Sequence, residues 1–229
     1  MHYPTASLTA AGTAPTEDRA ISLRRIYDQV LERQPYHHER LQLAKAELAF
    51  LAGKLGVRRF LKDLGQSAVY LEAFYFTSSN LKFIERCFKH FMGRAPVDQQ
   101  EMRLCCDLLM KHGVSAFILS LLDSEEYRKA FGCFTVPHPR QLAHHLSPRA
   151  FWESHVLNQE QLGQRGEVVP TLVWHQLGLD CNAGTCRPRE VVAVGPTAAA
   201  PQEVPAAAAS RAGQMHRPLT PKSTPIARR

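Results

Sequence analysis

Apolar residues recur at three- and four-residue steps from about residue 19 to residue 141, and this spacing constrains the fold more than any other feature. The stretch Asn80–Met92 is the clearest case. Its apolar side chains are those of Leu81, Ile84, Cys87, Phe88 and Phe91. Its charged and polar side chains lie mostly on the opposite side and are Lys82, Glu85, Arg86, Lys89 and His90. The spacing predicts an amphipathic helix with one face in a core and the other in solvent.

Glycines, prolines and capping residues divide this stretch into short helices. Ser79 or Asn80 can cap the helix that Gly93 ends. The other predicted boundaries are Pro35 between 21–34 and 37–52, Gly56 and Gly65 around a short helix, Gly113 between 99–112 and 114–122, and an Asp123–Glu126 capping box that begins 124–131. No alternating pattern typical of strands occurs here. We therefore predict an all-α, compact domain of seven or eight short helices over residues 19–141.

The regions outside this domain differ from it in composition. Residues 1–18 carry scattered Thr, Ala and Pro and are expected to be a flexible N-terminal segment. Residues 191–229 are an Ala/Pro-rich basic tail without Phe, Trp or Tyr, and we predict that this tail is disordered. Residues 142–190 are too apolar for a free linker and too rich in Gly for a long helix. We interpret them as an extended C-terminal docking arm with one short helix near 148–161.

The net charge of +7 is concentrated in the helical domain and the tail. Residues 19–140 hold 19 Lys or Arg and 13 Asp or Glu. A basic chain favours an anionic partner, which can be an acidic protein, a nucleic acid or a membrane surface. No apolar run approaches the length of a transmembrane helix, so no membrane span is expected.

Several sequence motifs, in the same order, resemble the signature of the phycobilisome linker domain. They are Arg25–Val30 with Gln34, Ser79–Glu85, Phe88–Pro96, Phe117–Tyr127, Phe131-Gly132 and Val136-Pro137. The resemblance covers residues 20–140, just over half of the chain. Two positions depart from the usual pattern: Gln66–Tyr70 lacks an acid before the aromatic residue, and His138 stands where Tyr is common.

The resemblance implies an all-helical, non-enzymatic protein that sits in the central cavity of phycobiliprotein rings, joins rings within the light-harvesting antenna and biases the energies of their bilins. The implied partners are phycocyanin and/or allophycocyanin, through their alpha and beta subunits, and other linkers. The linker itself would carry no covalent cofactor and would contact only the bilins of its partners. The implied location is the phycobilisome, on the cytoplasmic face of the thylakoid membrane. A single linker domain followed by an adhesive arm is similar to rod–core or core-associated linkers.

Two groups of residues become candidate contact sites under this resemblance. The aromatic run Phe74, Tyr75 and Phe76 cannot bury all its rings on one helix face, so we expect two to pack in the core and one to approach a partner's bilin. The basic residues are expected to form a surface that meets acidic residues of the ring. They are Arg24, Arg25, Arg58, Arg59, Lys62, Arg86, Lys89 and Arg94. Their expected role is steering and orientation.

The arm carries both tryptophans of the chain, Trp152 and Trp174. Because Trp is the most frequent interface anchor, we predict that both bury against a partner biliprotein or, failing that, against the chain's own helical domain. A chain ending at Gln141 is expected to remain a folded helical domain and to lose only this docking.

Cysteine chemistry is a further possibility in the arm and the core. His175, Cys181 and Cys186 could bind zinc, although a fourth ligand is not obvious, and a reversible disulfide or thiols in a turn are alternatives. No pattern supports a Cys–His nucleophile, and no enzyme activity is predicted. A basic nucleic-acid-binding protein is the rival hypothesis, but no helix-turn-helix, RNA-binding or zinc-finger spacing is present.

Overall fold

The computed structural model describes residues 8–10, 14–140, 144–145 and 147–161, together with the backbone of 179–180 and 187–188. Its helices are α1 Thr16–Val30, α2 His37–Leu51, α3 Val57–Gly65, α4 Ala68–Tyr70, α5 Asn80–Cys87, α6 Gln99–Asp123, α7 Glu125–Ala130 and α8 Pro148–Gln159. The π-helical turns Leu71–Tyr75 and Phe88–Met92 continue α4 and α5. The all-α prediction is confirmed. The chain divides into the units Met1–Glu190 and Val191–Arg229, and the predicted disordered tail lies outside the described residues.

Most of the helix boundaries follow the local chemistry that the sequence indicates. Ser79 caps α5, since its hydroxyl accepts a hydrogen bond from the Lys82 amide at 3.3 Å. The helix through α5 ends at Gly93, which has a φ of 65° in the left-handed region. One capping residue was predicted one position too early. Ser124, rather than Asp123, caps α7 by accepting from an amide three residues later.

Helix α6 is interrupted at Gly113, as predicted, where φ is 82° and ψ is 170°. By length and mean hydropathy, α6 could cross a membrane, and it is the one helix among the described residues that could. The break leaves two pieces, each shorter than the roughly 20 residues that a bilayer requires. Its buried side chains, among them Met102, Phe117 and Leu122, belong to the domain core. We interpret α6 as a core helix.

The central helix, which is α5 together with the π-helical turn Phe88–Met92, differs from the amphipathic prediction, because every residue from Leu81 to Pro96 is buried. Its aromatic side chains lie in one continuous core with those of the surrounding helices. The prediction that one face of this helix is in solvent is therefore wrong. Two of its charged side chains, those of Lys82 and Lys89, are paired with carboxylates that other segments supply.

Both ends of the described chain contribute to this core. Residues 8–10, which were expected to be flexible, pair with 134–136: the Ala10 amide donates to the Phe134 carbonyl at 2.8 Å, and the Val136 amide donates to the Leu8 carbonyl at 2.9 Å. Helix α8 agrees with the short helix predicted in the arm, and its Leu157 is fully buried in the core. Further along, Leu179–Asp180 and Arg187–Pro188 form a short antiparallel pair.

Candidate functional site

Three basic side chains of the central helix form a buried stripe. Lys82, Arg86 and Lys89 stand at positions i, i+4 and i+7, so they share one helix face, and all three are buried. The expectation that Arg86 and Lys89 belong to an exposed basic surface is therefore wrong. A buried ammonium group is tolerated only when a carboxylate and hydrogen bonds compensate its lost hydration. Two carboxylates outside the helix supply that compensation for the lysines.

The first carboxylate is Glu32, in the turn after α1. Its Oε1 accepts from the Lys89 Nζ and lies 3.1 Å from His90 Nε2. Burial alone would raise the pKa of Glu32, but the hydrogen bond to His90 and the charge of Lys89 outweigh it and lower that pKa to about 2. Glu32 has a φ of 58°, a conformation that non-glycine residues adopt at a cost. The ion pair holds Glu32 in this conformation.

His90 connects Glu32 to a buried tyrosine. The Tyr70 hydroxyl lies 3.0 Å from His90 Nδ1 and 3.5 Å from the Cys87 Sγ. Burial lowers the pKa of His90, so the ring is neutral at pH 7. The arrangement then fits one tautomer, in which Nε2–H donates to Glu32 and Nδ1 accepts from Tyr70. Burial also raises the pKa of Cys87, so this thiol is protonated and cannot serve as a thiolate nucleophile.

The second carboxylate is Glu160, just after α8. Its Oε2 lies 2.5 Å from the Lys82 Nζ, and Lys82 is also 3.7 Å from Glu85. The Glu160 carbonyl accepts a hydrogen bond from Lys89. Helix α8 is thus attached to the middle of the domain by polar contacts to two buried lysines. Arg86 lies between those lysines, with its guanidinium 5.5 Å from the centre of the Phe74 ring.

A polar cleft of about 170 Å³ lies where α1 and α8 end. Its lining residues are Asp28, Gln29, Glu32, Lys89, Pro139, Asn158, Glu160 and Gln161. The charged groups at its inner wall are already paired with one another. The cleft contains no nucleophile with an adjacent base, and we assign no catalysis to it.

Arg94 is the centre of a separate ion-pair network. Its guanidinium makes paired hydrogen bonds to Glu101, at 2.7 and 2.9 Å, and to Glu126, at 2.6 and 2.7 Å, and Arg140 also binds Glu126. Burial alone would lower the pKa of Arg94, but the two carboxylates outweigh burial and raise that pKa above its usual value. Arg94 is buried and fixes the start of α6 and α7 to the loop after Gly93. It also does not belong to the predicted basic surface.

The remaining predicted basic residues do lie at or near the surface. Arg24, Arg25 and Arg59 are exposed, whereas Arg58 and Lys62 are half-buried. Lys62 pairs with Asp123 at 2.6 Å and Arg59 with Asp63 at 3.5 Å. Within the described residues, the side chains of Arg24 and Arg25 make no ion pair, so these two remain available to an acidic partner.

The aromatic run divides as its spacing predicts. Phe74 is fully buried, and its ring centre lies 4.7 Å from that of His90. Tyr75 is half-buried against Phe83, at 4.9 Å between ring centres. Phe76 points outward and is 71% exposed. Among these three rings, that of Phe76 is the most exposed.

Helix α8 presents a second aromatic surface. Phe151 and Trp152 are exposed, the latter by 63%, and the Trp152 ring lies 5.8 Å from that of His155. The opposite face of α8 carries the buried Ser154 and Leu157. Trp152 is therefore not buried against the chain's own helical domain. The side chains of Trp174, His175, Cys181 and Cys186 lie outside the described residues, and the part of the chain that is described contains no cluster of metal ligands.

Sequence reasoning missed Glu32 and Glu160, the two residues that make the buried stripe possible. Neither has a local signal, because each meets the central helix 57 to 78 positions away along the chain. It also missed two exposed leucines of α2, Leu41 and Leu48. A signal for these was present, since α2 has apolar residues on all sides.

A family model described as phycobilisome linker polypeptide matches residues 15–140. A phycobiliprotein ApcE from Galdieria sulphuraria is 42% identical over 52% of this chain and 14% of its own length. A phycocyanin-associated rod linker polypeptide of 37.5 kDa from Microchaete diplosiphon is 38% identical over 57% of this chain and 50% of its own length. A phycoerythrocyanin-associated rod linker polypeptide of 34.5 kDa from Mastigocladus laminosus is 38% identical over 54% of this chain and 44% of its own length.

The matched segment thus spans half or less of each of these relatives. It coincides with helices α1 to α7 and the loop that follows them. These similarities do not favour the nucleic-acid-binding or zinc-binding alternative.

Proposed function

Because this chain belongs to the phycobilisome linker polypeptide family, we propose that it inserts its helical domain into phycobiliprotein rings and joins them within the light-harvesting antenna. The observation that carries this proposal is the family match over residues 15–140, which is more than half of the chain. Members of this family are structural proteins and not enzymes. The buried ionisable groups fit a structural role, since Glu32, Lys89 and Arg94 are held by one another or by neighbours.

The proposed partners are the alpha and beta subunits of phycocyanin and/or allophycocyanin, together with other linkers. Among the relatives, one is named as phycocyanin-associated and one as phycoerythrocyanin-associated, and both are rod linkers. These names support a phycobiliprotein ring as the class of partner without choosing among the rings. The position in the assembly that we propose is rod–core or core-associated. The proposed location is the phycobilisome on the cytoplasmic face of the thylakoid membrane.

The proposed role of the exposed cations is to guide the domain into an acidic ring. Arg24 and Arg25 on α1 are exposed and have no internal ion pair among the described residues, and Arg59 and Arg58 lie on α3. Each exposed pair with a partner carboxylate would contribute only about 0–1 kcal/mol. Their effect is expected on the association rate and on its dependence on salt.

We assign the contact with a partner's bilin to Phe76. Phe74 and Tyr75 pack against the core, whereas the Phe76 ring is exposed. A ring in van der Waals contact with a bilin can fix the planarity of that bilin and so bias the bilin's absorption. The linker itself needs no covalently bound cofactor for this effect.

Trp152 is the proposed anchor of the arm on the next assembly unit. Its exposed indole lies beside His155, on the face of α8 opposite to the buried Leu157. Trp174 remains a proposed second anchor from the sequence. An exposed indole on a helix that Glu160 holds against the domain is well suited to anchor a contact.

Isolation of phycobilisomes on a density gradient, followed by protein identification, tests the function. The chain is expected in a pigmented fraction, and its absence from all of them would refute the proposal. The site assignments need reconstitution of the full chain with a purified biliprotein ring. Phe76→Leu is expected to change the absorption of the complex, and Trp152→Ala is expected to reduce its size in sedimentation. Phe134 is another exposed phenylalanine, and Phe134→Leu serves as the control in the absorption and the sedimentation measurements.

A further inference from the structure

Helix α2 carries apolar side chains on opposite faces. Its inward face holds the buried Leu43 and Phe50, whereas Leu41 and Leu48 are 66% and 68% exposed. A helix that is apolar on both sides is usually covered on both sides. The described residues cover only one side of α2.

The exposed leucines lie on one stripe with a lysine between them. Leu41, Lys45, Leu48 and Ala52 stand at positions i, i+4, i+7 and i+11, and all four are exposed. Side chains at these spacings are neighbours on a helix surface. The stripe, which we call the α2 face, therefore offers two apolar side chains on either side of one ammonium group.

The charges of α2 are separated between its two faces. Its two acidic residues point inward: Glu39 pairs with Arg33 at 2.6 Å, and Glu47 accepts a hydrogen bond from the Tyr27 hydroxyl at 2.6 Å. Lys45 makes no ion pair with any described residue. The outward side of the helix is thus positive and apolar, with no acid of its own to neutralise it.

We propose that the α2 face docks on an acidic, partly apolar protein surface, which on the proposed function is the phycobiliprotein ring. Two alternative occupants, a second copy of the chain and its basic tail, would bring like charge to this face. A second copy meeting this face across a two-fold axis would bring Lys45 against its own equivalent. The chain's tail after residue 190 holds five Lys or Arg and one acid, so it is repelled by the same charge. An acidic partner satisfies Lys45 and covers both leucines.

The test compares three full-length variants for binding to a purified phycobiliprotein ring. Leu41→Ser with Leu48→Ser should raise the Kd at least about tenfold, since two side chains of a contact centre are lost. Leu104→Ser is the matched control, because Leu104 is 63% exposed on α6, and its Kd should stay within about twofold. Lys45→Glu should slow association and weaken its dependence on salt. All of the replaced side chains are exposed, so the thermal midpoints should not change.

Each outcome bears on the inference. If the unmodified chain binds the ring and the double variant binds equally well, the inference is wrong and the proposed function stands. If the unmodified chain does not bind any ring, the proposed function fails and this inference fails with it. Sedimentation of the chain alone completes the test: self-association that the double variant abolishes would assign the α2 face to a second copy and overturn the proposal.

Discussion

The carboxylate of Glu160 is expected to stabilise the helical domain even though it lies beyond the segment that the family model matches. Its Oε2 is 2.5 Å from the Nζ of the fully buried Lys82. Replacement by Gln keeps the size of the side chain and removes its charge. Lys82 would then keep Glu85, at 3.7 Å, as an ion-pair partner.

Loss of one partner from a buried pair costs about 3–5 kcal/mol. Because Glu85 remains and the Glu160 carbonyl still accepts from Lys89, we expect the lower end, about 3 kcal/mol. For a chain of this size, that corresponds to a fall in Tm of about 6–12 °C. The apolar contact of α8 is separate: Leu157→Ala should cost about 2–5 kcal/mol, since Leu157 is fully buried.

Chemical denaturation followed by circular dichroism measures both variants, with Glu153→Gln as the control. Glu153 is half-buried and pairs with Arg149 at 2.8 Å on the same helix, but the Arg149 side chain is 64% exposed, so loss of this pair should cost about 1 kcal/mol or less. A double-mutant cycle with Lys82→Met isolates the coupling between Glu160 and Lys82. A coupling energy close to zero, or equal effects of Glu153→Gln and Glu160→Gln, would refute the reasoning.

The contacts of α8 also bear on the stability of a chain that ends at Gln141. That chain lacks both Leu157 and Glu160, and the combined cost of about 5–8 kcal/mol approaches the whole stability of a typical domain. We now expect it to be largely unfolded or only marginally stable, whereas a chain ending at Gln161 should fold. Equal denaturation midpoints for the two chains would show that α8 contributes nothing to the stability of the domain.

Three further predictions follow from the interior. The pKa of Glu32 is lowered from 4.5 to about 2, so its ionised form should add about 3 kcal/mol to the free energy of unfolding. This contribution should be complete above pH 4.5 and lost as the pH falls toward 2. Glu32→Gln should flatten this part of a curve of stability against pH. Gly113→Ala should lower the free energy of unfolding, measured by denaturation, by about 1–2 kcal/mol, because only the backbone conformation is unfavourable for alanine there. Gly93→Ala should cost more, because the new Cβ would lie 2.0 Å from a backbone carbonyl oxygen. Phe88→Ala should cost about 3–5 kcal/mol, and Phe76→Ala should leave the thermal midpoint unchanged, since the first ring is buried and the second is exposed.

The parts of the fold that the sequence predicted are those that local chemistry decides. Gly93 and Gly113 both have a positive φ, which favours glycine, so each marks a helix end or break. Ser79 caps a helix because its hydroxyl reaches an amide only three residues away. The division of the aromatic run between core and surface likewise follows from the angle between successive residues on a helix.

The parts that could not be predicted depend on residues far apart in the chain. Periodicity assigned Lys82 and Lys89 to a solvent face, because a charged stripe usually lies there. Their burial requires Glu160 and Glu32, which lie 78 and 57 positions away along the chain. A single sequence contains no local signal that pairs them. The same limit applies to Arg94, whose contact with Glu126 spans 32 positions.

The buried network also bears on how the exposed sites could act together. Glu32 lies in the turn between α1 and α2, both lysines lie on the central helix, and Glu160 follows α8. Breaking a buried ion pair leaves an uncompensated charge, which is energetically costly. This cost stabilises one arrangement of these segments. The α2 face and Trp152 lie on segments that this network joins. The network therefore holds the two proposed docking surfaces in a fixed relative position, which the proposed joining of rings would require.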